Sequence, residues 1–246
     1  MLLAATCYLL LLLLFEGLSF SVSEREKIGV AGRTGSGKSS LMIALFRIQE
    51  LTSGKVEIDG VDISRVPLKK LRSVLGIIPQ DPVMFSATVR FNLDPFSQFT
   101  DEEVWAVLDG VCMSEHVNSL PNKLNEMIAE GGDNFSAGQR QLICIARALL
   151  RNPKILVLDE ATASIDNKTD SLIQTMVRQS FVNSTVLTIA HRLHTIIDCD
   201  KIMVLDAGVL EEYDSPKNLL NLPDGMFTSL WNRHQESHHQ SAEGAQ

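Results

Sequence analysis

The chain has 246 residues, is 45% hydrophobic and carries a formal charge of −8. That is enough apolar material for one α/β domain or two small lobes, and the acidic balance gives no electrostatic support for nucleic-acid binding. The four cysteines, Cys7, Cys112, Cys144 and Cys199, form no Cys-x-x-Cys pair and read as free thiols in a reducing compartment.

Residues 1–15 are an apolar leader, nearly unbroken from Leu2 to Phe15 and stopped by Glu16. The run falls short of the about 20 apolar residues a membrane-spanning helix needs. It also lacks the basic start and small-residue cleavage site of a signal peptide, since the first basic residue is Arg25. It reads either as a hydrophobic strand-forming entry or as a truncated or misjoined start. Leu18, Phe20 and Val22 then alternate with serines, the pattern of a half-buried strand. Lys27 to Ala31 is a short apolar strand running into a glycine-rich loop, and a helix is expected from about Ser39 to Ile48.

Val56 to Ile63 reads as a hairpin with Asp59-Gly60 at its turn. A short helix near Pro67 to Ser73 and a buried strand from Leu75 to Ile78 follow. Between 82 and 149 the pattern is helical, with Thr100 and Glu103 matching a capping box. Beyond it the chain alternates: strand Ile155 to Leu158, helix Asn167 to Gln179, strand Thr185 to Ile189, strand Lys201 to Leu205. Asp206-Ala207-Gly208 turns into a strand from Val209 to Tyr213, and Ser215-Pro216 opens a helix. The expected fold is α/β with a mostly parallel core sheet, an antiparallel β subdomain and a helical subdomain inserted at about 82–149. The domain is expected to span 16–231, with a polar, disordered tail over 232–246 that contains His234, His238 and His239.

Gly32-Arg33-Thr34-Gly35-Ser36-Gly37-Lys38-Ser39 matches G-x-x-x-x-G-K-[ST] at every fixed position, after a strand and before a helix. Its glycines let backbone N–H groups turn inward around phosphate oxygens, and the helix start adds partial positive charge. Lys38 is placed to reach the β- and γ-phosphates, Ser39 to hold Mg²⁺, and Ser40 continues the helix start. Ile155 to Leu158 ends in Asp159-Glu160, carboxylates at the strand end where α/β folds bind ligands. Asp159 suits Mg²⁺, and Glu160 suits a general base for an attacking water. Gln80 follows the strand Leu75 to Ile78 and is a candidate contact to Mg²⁺ or that water. His191 follows the strand Thr185 to Ile189 and is a candidate γ-phosphate contact. Ser136-Ala137-Gly138-Gln139 fits a capping box for the helix carrying Leu142, Ile143, Ala146 and Leu149, and a capped helix start is also an anion site. Asn134, Asn167 and Asn183 match the glycosylation pattern, but a glycan on Asn134 would fall inside this segment, so the matches read as chance.

In this order the motifs resemble the nucleotide-binding domain of ATP-binding-cassette (ABC) proteins, P-loop NTPases, over about Phe15 to Leu222. The resemblance implies that Ser136, Gly138 and Gln139 serve the nucleotide of an opposing cassette and that Asp166 couples the two sites. The segments Ile78 to Phe85, Asn92 to Phe96 and Leu158 to Asp166 are similar to those of second cassettes in subfamily C exporters, and Glu160 is present as in those cassettes. Ala137 stands where the commonest signature has glycine. The position where the family stacks an aromatic on adenine falls on Cys7, beside Tyr8, and is a departure from the pattern.

The resemblance implies an ATP- and Mg²⁺-dependent ATPase that drives an exporter from the cytoplasmic face of a membrane. Its partners would be a second cassette and transmembrane domains that this chain lacks; nucleic acid is not expected. Other readings stay open: a regulatory cassette of a channel or receptor, a soluble non-transport cassette ATPase, or a translocated non-catalytic protein led by the apolar start.

Overall fold

Ile28, Val30 and Ala31 are fully buried, as befits a strand covered on both faces. In the computed structural model, which describes residues 18–159, 167–190 and 192–243, they belong to β1 (Lys27–Gly32). The chain divides into two units, one running to Leu75 and resuming at Thr185, the other Gly76–Ser184.

In the first unit β1 lies between two parallel neighbours, β6 (Thr185–Ile189) and β7 (Lys201–Asp206). The register sets Val30 beside Ile189 and Met203, so β6 stops beside Val30 while β1 runs on against β7 to Gly32. β7 turns back into the antiparallel strand β8 (Val209–Asp214). The turn residues Ala207 and Gly208 have φ of 46° and 84°, the left-handed pair of a type I′ hairpin. A second hairpin joins β2 (Glu57–Ile58) to β3 (Val61–Asp62), where Asp59 and Gly60 have φ of 52° and 74°. Beneath β1 and β7, Ala190, Leu193, Ile196, Leu219 and Phe227 close a core against which Leu230 and Trp231 pack. Gly29 is required here, because a Cβ would stand 2.6 Å from the Ile196 Cβ.

The helix after β1 is α1 (Lys38–Leu45), shorter than the run expected to Ile48. Arg47 takes a left-handed φ of 44° and its guanidinium bonds the Ile63 and Val66 carbonyls, both at 2.8 Å. Arg72 from α2 (Leu68–Val74) caps the freed Phe46 and Arg47 carbonyls at 3.1 and 3.0 Å. These bonds outweigh one more turn of a weakly amphipathic helix.

The second unit holds β4 (Leu75–Ile78) beside β5 (Ile155–Asp159) and the expected helical run: α3 (Val89–Leu93), α4 (Asp101–Gly110), α5 (Ser114–Ser119) and α6 (Ala137–Arg151). Gly76 has Pro153 against it, at 2.5 Å from a notional Cβ. Thr100 and Glu103 form the anticipated capping box on α4. Arg147 of α6 reaches Val83 O at 2.6 Å and both the carbonyl and side-chain oxygens of Asn92, and lies 5.8 Å over the Phe85 ring. Asn92, almost wholly buried, in turn bonds Phe85 N–H and C=O at 2.9 Å each. One guanidinium thus ties α6 to α3 and to the 82–88 segment. α7 (Asn167–Ser180) follows β5.

Leu18 to Ser23 alternate in exposure as expected but join no ladder; Phe20 instead meets the Tyr213 ring edge-on at 6.1 Å, and Tyr213 Oη donates to Ser21 O at 2.8 Å. The tail differs more. After α8 (Pro216–Leu220), α9 runs Met226–Glu243 across most of the stretch expected to be disordered. Buried Phe227 anchors its start, and the Glu212 carboxylate accepts from the first N–H groups, Met226 and Phe227. The polar sequence then continues a helix already nucleated. Cys112, Cys144 and Cys199 are in no disulfide among the described residues, and Cys7 lies outside them.

The Arg147→Met variant removes the donor to the Val83 and Asn92 carbonyls, while Asn92 Oδ1 keeps the Phe85 N–H, and chemical denaturation should find it about 2–3 kcal/mol less stable. A loss under about 0.5 kcal/mol would place the network outside the stabilising core. Burial opposes the Asp94 carboxylate, but the Phe99 and Gln98 N–H groups and Arg90 outweigh it, so its pKa is lowered. The contribution is therefore complete above the ordinary carboxylate pKa of about 3.9 and is lost as pH falls through the depressed folded value. Asp94→Asn should be less stable at neutral pH and show a shallower acid decline; parallel Tm–pH curves for the two proteins would contradict this.

Candidate functional site

The phosphate loop forms where β1 stops pairing. Gly32 has a φ of 152°, and a Cβ there would stand 2.3 Å from the Leu205 carbonyl oxygen and 2.5 Å from Ser36 Oγ. Only a glycine lets the chain leave the sheet this close to β7. Ser36 N donates back to Arg33 O at 3.1 Å, and Gly37, with φ 106°, takes the left-handed position that opens α1. Lys38 is buried along the loop, and its ammonium donates to Gly32 O at 2.8 Å and Arg33 O at 2.9 Å. The loop closes on its own lysine.

The chemistry of this loop suits a phosphate group. Ser36 Oγ is buried without a hydrogen-bond partner, a cost of about 1–3 kcal/mol that an acceptor oxygen would remove. Gly35 has nothing within 4 Å of a notional Cβ, so the loop crest is open. Arg33, Thr34 and Ser39 are exposed, and Ser40 N–H bonds Gly37 O at 2.9 Å to set the first helical turn.

A further contact was not anticipated from the sequence. Gly208 N–H, at the β7–β8 turn, donates to Ser36 O at 3.0 Å. The hairpin turn therefore braces the phosphate loop from below, together with Leu205 O under Gly32. The Asp-Ala-Gly signal locates a turn but does not indicate which distant carbonyl that turn supports.

In the second unit Gln80 is exposed two residues past β4, and Gln141 of α6 holds the intervening Pro79 carbonyl at 3.3 Å. Asp159 is the last residue of β5, half-buried as a strand-end carboxylate should be. Ser136 is the N-cap of α6, with its hydroxyl accepting from Gln139 N–H at 3.2 Å and Gln139 Oε1 accepting from Ser136 N–H at 2.9 Å. The capping reading is thus correct. Ala137 and Gly138 occupy the first turn. The segment before it is pinned on both sides: Asn134 bonds Ala129 N–H and Met127 O at 2.9 Å each, and Arg140 bonds Gly132 O and Phe135 O at 3.2 and 3.1 Å.

Within the first unit the phosphate-loop residues are assembled on one another, and within the second the Ser136 turn is capped. Glu160, Asp166, His191 and the leader positions Cys7 and Tyr8 lie outside the described residues. Among the described residues no helix is long and apolar enough to cross a membrane.

A sequence profile described as ABC transporter matches residues 15–163. The chain is 55% identical over 217 residues to ABC transporter C family member 12 of Dictyostelium discoideum, covering 88% of this chain and 16% of that protein. It is 53% identical over 218 residues to ATP-binding cassette sub-family C member 4 of Mus musculus, covering 89% and 16%. It thus spans about a sixth of the length of these curated relatives. Among solved structures, a bacterial Atm1-family ABC exporter with ATP bound superposes with a TM-score of 0.84 at 37% identity, covering 90% of this chain and 39% of that one.

The brace predicts a contrast between two glycines at equivalent turn positions. Gly208→Val and Gly60→Val strain the same left-handed conformation, but only Gly208 touches the phosphate loop. Titration with a fluorescent nucleotide should find affinity reduced about five- to tenfold in the first, where relaxing the strained turn swings the backbone N–H at 208 away from Ser36 O and forfeits about one hydrogen bond, and little changed in the second. Equal losses would mean that turn strain alone is responsible.

Proposed function

The chain belongs to the ABC transporter family, and we propose that it is an ATP-hydrolysing cassette of the subfamily C exporter type. The observation that carries this is the phosphate loop: a glycine-permitted exit from β1, Lys38 held at the loop carbonyls, and a buried Ser36 hydroxyl that lacks an acceptor. Lys38 exchanges those carbonyls for the β- and γ-phosphate oxygens, and the residues Gly32 to Ser40 line the triphosphate. Mg²⁺ would be held by Ser39, Gln80 and Asp159 and would neutralise charge on the transferred phosphate. Glu160 takes a proton from the attacking water as its oxygen bonds the γ-phosphorus, the bond to the ADP oxygen breaks, and ADP and phosphate leave. Gln80 orients that water and His191 hydrogen-bonds the γ-phosphate.

Ser136, Gly138 and Gln139 act on the nucleotide of a second cassette, and Asp166 links the two sites. In the free chain the Ser136 and Gln139 side chains cap their own helix, which leaves the N-terminus of α6 preformed for a partner's phosphate. Transmembrane partners dock on an apolar surface where Val83, Phe85, Phe91 and Met127 are exposed, with the Phe85 and Phe91 rings 6.2 Å apart. Through them the chain sits at the cytoplasmic face of a membrane, where nucleotide-driven pairing of cassettes moves the solute.

Glu160→Gln should bind MgATP with near-normal affinity and hydrolyse it at least about a hundredfold more slowly, while Lys38→Ala loses nucleotide binding. Phosphate release and equilibrium binding, measured on the same preparations, separate the two. Undiminished turnover by Glu160→Gln would remove that residue from its role as base.

A further inference from the structure

His194 and His234, forty residues apart, come together on the first unit. Their ring centres are 5.9 Å apart with planes at 47°. His194 belongs to the 3-10 turn Leu193–Thr195, whose backbone is fixed by buried Leu193 and Ile196. His234 belongs to α9, anchored by buried Phe227 and by the Glu212 carboxylate at its first N–H groups. The Trp231 ring stacks on His234, with planes 20° apart and centres at 6.4 Å, and packs against the core that also holds Leu193 and Ile196. Both imidazoles are thus carried on rigid elements, His194 exposed and His234 half-buried.

With metal–nitrogen bonds of about 2.0–2.1 Å, imidazoles sharing a tetrahedral ion hold their ring centres roughly 5–5.5 Å apart. The observed spacing reaches that value with a small side-chain rotation. Imidazole nitrogen favours Zn²⁺, Ni²⁺ and Cu²⁺ over Mg²⁺ and Ca²⁺, which take oxygen. Among the described residues no group of three or more ligating side chains is assembled, so water completes the coordination and the affinity is moderate.

We propose that His194 and His234 form a two-imidazole site for a zinc-class divalent cation, which clips helix α9 to the segment following β6. This site is separate from the Mg²⁺ of the proposed ATPase and does not depend on it. Occupancy would stiffen the attachment of the C-terminal helix beside the strand end that His191 follows.

The test is calorimetric titration of the metal-stripped, tag-free full chain with ZnCl₂ and NiCl₂, in parallel with His194→Ala, His194→Asn and His234→Ala. The expected result is one ion per chain in the micromolar range, about tenfold or more weaker in each variant, since each removes a direct ligand. The wild-type Tm should rise with metal and the variants' Tm should not. If both His194 variants bind as tightly as the wild type, the ion is held by tail imidazoles such as His234, His238 and His239 alone, and the bridging site is overturned. Absence of binding at a hundredfold molar excess of metal would overturn it equally.

Discussion

The carbonyl oxygen of Leu205 occupies the space that a side chain on Gly32 would need, and the first unit is arranged around that closeness. β1 can leave the sheet at Gly32 only because β7 is one strand away in parallel register, with Gly32 opposite Leu205. The same register places the β7–β8 turn under the loop, where Gly208 N–H meets Ser36 O. A shift by one residue would carry Gly32 away from Leu205 and withdraw both supports together. The phosphate loop is therefore set by sheet register as much as by its own glycines.

The second unit applies the same device with side chains. Arg147 gathers the Val83 and Asn92 carbonyls, Gln141 takes that of Pro79, and Arg140 takes those of Gly132 and Phe135. All three project from α6, the helix whose start carries Ser136. One helix thus fixes the chain before Gln80, the segment from Val83 to Asn92 and the approach to its own N-terminus. Burial pushes the Arg147 pKa below its ordinary value and the Cys144 thiol beside it upward. The guanidinium stays useful because carbonyl dipoles replace the water it gives up.

Local signals were legible in proportion to how local their physics is. The Asp59-Gly60 and Ala207-Gly208 turns, the Thr100 and Ser136 caps and the buried strands β1, β4 and β5 follow from residue type and period within a few positions. α1 stopped early because Arg47 and Arg72 capture carbonyls of other elements, which no periodicity reports. The stretch Leu18 to Ser23 alternates correctly, yet alternation records only which side is covered and does not identify a hydrogen-bonding partner. α9 outran its polar composition because its first turn is held by Glu212 and Phe227, a tertiary anchor that helix propensity leaves out. At the site, the motif residues were readable while their braces, Gly208 under Ser36 and Gln141 behind Pro79, were not.

Lys38 shows why a loop can be both preformed and ready to bind. A buried ammonium without acceptors would be costly, and the Gly32 and Arg33 carbonyls supply acceptors at ordinary hydrogen-bond lengths. Those bonds draw the loop around its own lysine into one fixed shape, so little ordering entropy remains to be lost when an anion takes their place. An anion entering the loop offers the lysine a bond in which both partners are charged, stronger than the ammonium–carbonyl bonds it gives up, and offers the buried Ser36 hydroxyl the partner it lacks. Binding thus replaces two adequate contacts with better ones and removes one defect, with the backbone already held by Leu205 and Gly208.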